Sequence, residues 1–249
     1  YPKLIGLGPL WFVAMLLLFG FGYAAWRLLT RNRTSRPTSR FERIGYIGIL
    51  LFVVGLAAVS YLMRMIIPLG KSILDFPTLA YLPQYLSFFT LGIVAYRRSW
   101  LDTLTTSKGI VGFAAALAAG VILFPLAFGG RFFSLTVTSE LGNAMGNGHW
   151  QSAIYALWDS IFAVGMCLGL IILFRRFFNG RRKIGSFLSR HSYSVYIIHT
   201  PIIVMVAYLL RGMDLSNLAK FGVAAVIMIP ACFAAAFLVR KIPGVSRIL

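Results

Sequence analysis

Residues 150–174 read WQSAIYALWDSIFAVGMCLGLIILF, a run in which Asp159 is the single charged side chain. As a helix rising 1.5 Å per residue, a run of this length crosses a bilayer hydrocarbon core of about 30 Å. Six further runs share its character, at about 8–29, 44–67, 79–97, 109–128, 191–210 and 219–239. The composition agrees: 59% of the 249 residues are hydrophobic and 12% are charged, against about half and about one quarter in a soluble domain. The reading is an all-α, polytopic integral membrane bundle of about seven transmembrane helices, forming a single transmembrane domain over residues 1–249. The run at 79–97 departs most from the pattern. It has Pro77 and Pro83 at its start and Gln84, Ser87 and Thr90 within, which suits a helix packed among neighbours better than one facing lipid.

Lys and Arg number 24 against 6 Asp and Glu, a formal net charge of +18. On a soluble chain that balance would suggest a nucleic-acid partner. Here the basic residues stand in short clusters between apolar runs, so no nucleic acid is expected and the partner is the lipid bilayer. Cys167 and Cys232 both lie inside apolar runs with no nearby second cysteine, so neither a disulfide framework nor a metal site is expected. The chain opens at Tyr1 with no basic stretch before the first run, and is expected to be a fragment with a segment missing upstream.

Alternate loops differ in charge. Lys3, Arg64, Lys71, Arg131, Arg211 and Lys220 fall on one side, and the other Lys and Arg residues fall on the opposite side. Because Lys and Arg near span ends favour the cytoplasm, the N-terminus is expected outside and the C-terminus inside. The basic loop 30–43 (TRNRTSRPTSRFER) then reads as a cytoplasmic anchor on anionic lipid heads. Its arginines could instead hold donor phosphates, a reading that rests on charge type alone. The outer loop 129–150, with Glu140 and His149, reads as a connector or as a lid over an acceptor site.

Ionisable groups inside a span are costly and invite a functional reading. Asp159 lies about 13 Å from the outer end of its span and His199 about 12 Å from the inner end of the next, so their heights differ by about 5 Å. A His199–Asp159 pair, direct or through water, is therefore expected, either as chemistry or as packing glue. Ser192, Tyr196 and His199 fall at i, i+4 and i+7, a polar stripe that should face the protein interior. Pro201 leaves the carbonyl of Ile197 without its helical donor and should bend or hydrate the helix beside His199. His191 reads as an interfacial residue. The chain contains no Walker loop, Rossmann fingerprint, H-E-x-x-H or G-x-S-x-G.

Three stretches together carry a resemblance: Gly8-Pro9-Leu10-Trp11-Phe12, then Tyr85 to Tyr96 (YLSFFTLGIVAY) followed by Arg97 and Trp100-Leu101, then Phe187 to Pro201 (FLSRHSYSVYIIHTP). In order and spacing they resemble the membrane acyltransferase 3 family, over most of the chain. The most specific element is Ser192, Tyr193, Tyr196, His199 and Pro201. The resemblance implies a mostly bacterial multi-spanning enzyme, an acyltransferase moving groups other than aminoacyl groups. It would O-acetylate or O-acylate a hydroxyl of an envelope carbohydrate or polysaccharide, with acyl-CoA as co-substrate and no resident cofactor. Members usually have ten spans, the first bearing the essential histidine, which has no counterpart here; the chain is then the C-terminal part of such an enzyme, inactive alone. His199, Tyr196 and Asp159 are the expected catalytic contributors and Arg97 an expected contact to the acyl donor. A transporter or flippase-like carrier of an envelope precursor is the rival reading, since polar groups at mid-membrane and kinked helices serve that function too.

Overall fold

A computed structural model describes residues 10–30, 44–70, 79–128, 139–178, 183–214 and 216–242. Within them every regular element is helical. In chain order these are α1 (Trp11–Leu29), α2 (Tyr46–Ile66), α3 (Leu82–Arg97), α4 (Trp100–Thr103), α5 (Thr106–Ala127), α6 (Ser139–Ala144), α7 (Trp150–Leu173), α8 (Lys183–Leu209) and α9 (Asn217–Val239). A 3₁₀ turn, Leu79–Tyr81, leads into α3, and a π-helical turn, Phe174–Phe178, extends α7. All but α4 and α6 are long and apolar enough to cross a membrane, which gives the seven expected spans.

The chain divides into two compact units, Ala14–Asn179 and Gly180–Leu249 with Tyr1–Val13. In the first, α5 and α7 make the most extensive helix pair and α2 packs against α7. Small residues permit the approach. A Cβ on Gly165 would run into the Gly112 carbonyl oxygen and lie 2.9 Å from the Ala116 Cβ, so the two backbones touch where side chains would separate them. Val53, Leu56 and Val164 form the apolar centre, with Phe52, Phe88 and Leu168 against it. Leu17, Phe21, Leu50, Val121 and many other large apolar side chains point outward. In water that would be a defect; in a bilayer it is the lipid-facing surface.

The departures in α3 resolve locally. Pro83 occupies the first turn of α3, where a missing N–H costs nothing. Thr90 Oγ1 donates to the carbonyls of Leu86 and Ser87, so its hydroxyl is satisfied inside the helix. Below α4, Arg175 donates to the carbonyls of Leu101 at 2.7 Å, Asp102 at 3.3 Å and Leu104 at 2.5 Å. One guanidinium thereby caps the short helix and ties it to the end of α7.

In the second unit α8 packs against α9. Helix α8 begins at Lys183, eight residues before the expected span, and runs unbroken through Pro201. Ser216 caps α9, its hydroxyl accepting from the Ala219 N–H at 3.3 Å. Arg240 donates to the Arg190 carbonyl across the pair.

Candidate functional site

Helix α2 buries Val53, Leu56, Ala57, Ser60 and Arg64, a 3–4 spaced face that meets α7. Its last member carries a charge. A helical side chain leans toward the helix N-terminus, so Arg64, in the last turn of α2, reaches back into the bundle. Asp159 of α7 leans toward its own N-terminus and meets it. Arg64 Nη2 donates to Asp159 Oδ2 at 2.7 Å, with side-chain exposures of 0% and 16%.

Around this pair stand groups from α3 and from the turn before it. The Gln84 side chain lies beside the Asp159 carboxylate. The Arg64 guanidinium carbon lies 5.3 Å from the Tyr81 ring centroid and 5.0 Å from that of Tyr155, within cation–π range. The two tyrosine hydroxyls approach to 3.4 Å, a long hydrogen bond. Tyr155 and Asp159 occupy one face of α7 with Ser152, and Tyr155 packs against Trp158 at 5.1 Å. Arg64 Nε and Nη1, Ser152 Oγ, Gln151 Oε1 and Trp158 Nε1 are buried and find no hydrogen-bond partner among the described residues.

Residues 145–148 close the end of α2 that carries the cluster. Leu69 N–H donates to the Met145 carbonyl at 2.8 Å and Tyr61 Oη to the Gly148 carbonyl at 2.9 Å. Gly146 has φ +154°, and a Cβ there would lie 2.6 Å from the Arg64 carbonyl oxygen, so only glycine fits this crossing. Residues 145–148 of the 129–150 loop therefore pack on the end of α2; residues 129–138 lie outside the described residues, as do 31–43 of the basic loop and 179–182.

Sequence reasoning missed Arg64. It counted the residue among outer-loop cations because it stands near the end of an apolar run. The structure places it inside the bundle, so it reports packing and not topology. The available signal was an arginine four residues after Ser60 in a run otherwise without charge, the same criterion that singled out Asp159. Among the described residues, Asp159 forms an ion pair with Arg64.

His199 sits half-buried on α8, its Nδ1 2.6 Å from the Tyr196 carbonyl. A carbonyl only accepts, so Nδ1 is the donor in this contact and Nε2 is left free of it. The Tyr196 ring lies 5.9 Å away. The expected inward stripe is displaced: Ser192 is exposed and donates to the Ser189 carbonyl, while His191 and Ser194 are buried. The cause is α9. The buried His191 ring stacks on Phe187 at 4.3 Å and faces Phe237 at 5.9 Å. Arg97 ends α3. Cys167 and Cys232 are free thiols, and no metal-binding cluster occurs among the described residues.

Seven helices long and apolar enough to span, two of which hold the Arg64–Asp159 ion pair between them, define a multi-pass integral membrane protein. A family model for the acyltransferase domain matches residues 2–237, and the chain belongs to the acyltransferase 3 family. No curated protein and no solved structure matches the chain significantly.

Proposed function

We propose that the chain forms part of a multi-pass membrane enzyme that moves an acyl group from acyl-CoA to a hydroxyl of a cell-envelope carbohydrate. Family membership supports acyl transfer; the observation that supports a base within this chain is His199, whose Nδ1 is held by a backbone carbonyl so that Nε2 is left available within a span. Such a nitrogen can take the proton of an acceptor hydroxyl as that oxygen attacks the thioester carbonyl, or relay it for another base. Tyr196 lies beside it on the same helix. The tetrahedral oxyanion then needs fixed donors, and the thiolate leaves with a proton. Arg97, at the end of α3 that the charge bias assigns to the cytoplasm, is suited to the anionic donor. In this orientation the N-terminus is outside and the C-terminus inside.

The test of the chemistry is turnover of labelled acetyl-CoA by the active enzyme in vesicles. His199→Gln retains a donor and an acceptor, so it should fold and insert normally yet lose about two or more orders of magnitude in rate. Unchanged turnover in this variant would reduce His199 to packing. Turnover by the 249-residue chain alone would place the base within it, whereas turnover requiring added N-terminal sequence would place the base there.

Orientation has its own check. In a background without Cys167 and Cys232, single cysteines within 30–43 and 175–190 should resist an impermeant thiol reagent in intact cells, while one within 129–150 should react. Labelling at 175–190 would reverse the assignment.

A further inference from the structure

Arg64 presents an unsatisfied demand. A guanidinium has five N–H donors; here one is committed to Asp159, and Nε and Nη1 are buried with no partner among the described residues. Leaving such donors dry is costly. The group beside them is not that of an anion site, because Asp159 cancels the charge of Arg64. A phosphate or carboxylate offers only acceptors and would meet the Asp159 carboxylate. A ring bearing adjacent hydroxyls both donates and accepts, and its C–H faces stack on tyrosine rings such as Tyr81 and Tyr155.

We propose that Arg64, Asp159, Gln84, Tyr81 and Tyr155 form a subsite for a neutral polyhydroxylated ring, the acceptor sugar of the reaction. Its hydroxyls accept from the open donors of Arg64 and donate to Asp159, whose side chain remains partly accessible. The ring enters by parting the 3.4 Å Tyr81–Tyr155 hydroxyl contact. Asp159 is thereby a binding residue of the acceptor. This rests on the acyltransferase reading, and it locates the acceptor at the end of the bundle that the charge bias places outside.

The test uses the full chain in lipid nanodiscs and saturation-transfer NMR with a panel of methyl glycosides (glucoside, N-acetylglucosaminide, rhamnoside) and inorganic phosphate. At least one glycoside should bind and phosphate should not compete. Arg64→Lys keeps the positive charge beside Asp159 but lacks the planar fork, and should weaken glycoside binding at least tenfold; Gln84→Ala, at the edge of the cluster, should weaken it measurably while unfolding as the parent does. Absence of binding across the whole panel, binding of phosphate in preference to the glycosides, or full binding by a folded Arg64→Lys together with Gln84→Ala would overturn the subsite. The two readings fail separately. Glycoside binding lost in these variants, with no acyl transfer by the chain either alone or with added N-terminal sequence, would retain the subsite and remove the reaction. Acyl transfer with the acceptor KM unchanged in both variants would retain the reaction and remove the subsite.

Discussion

Asp159→Leu, with Arg64 left in place, is expected to destabilise the bundle by about 3–5 kcal/mol, the scale for removing one partner of a buried ion pair. The size follows from Arg64 being fully enclosed: without the carboxylate its charge stays in a poorly polarisable interior with only two tyrosine faces to compensate it. The reciprocal change, Arg64→Met, should cost less, because Asp159 is partly exposed and can protonate or take up water. Replacing both, Arg64→Met with Asp159→Leu, should recover most of the loss, since an apolar pair of similar volume removes both desolvation penalties. Unfolding in mixed micelles of all three variants reads the coupling directly. Additive losses would show that the two side chains do not depend on each other.

Gly165→Leu should also destabilise the bundle, for a steric reason. Even a methyl group at this position would meet the Gly112 carbonyl oxygen and the Ala116 side chain, so the backbones of α5 and α7 must part along the main helix contact of the unit. Overpacking a tight site costs about 1–3 kcal/mol, and a rigid helix pair has no flexible side chain to yield. Gly165→Ala should already be damaging. Gly20→Ala is the control, because a Cβ there meets nothing within 4 Å and should leave stability unchanged or slightly raised. The same denaturation series compares them, and equal behaviour of Gly165→Ala and Gly20→Ala would refute the close approach.

Seven spans were legible in the sequence because lipid is a uniform solvent: whatever lies in it must be apolar, long enough and helical, regardless of its neighbours. The family was legible too, since its signature is local, from Tyr85 to Leu101 and from Phe187 to Pro201. Partnership was not. Asp159 was found by its cost, but depth along a span is a single coordinate and does not say which side chain of a neighbouring helix it meets. The Arg64–Asp159 contact depends on the face of α2 that packs on α7 and on the backward lean of helical side chains. The burial of His191 in preference to Ser192 was decided in the same way, by the side on which α9 lies. Composition determines that a helix enters the membrane; the rotation of that helix against its neighbours, which decides whether a charge meets lipid, water or an opposite charge, exists only once the helices are packed.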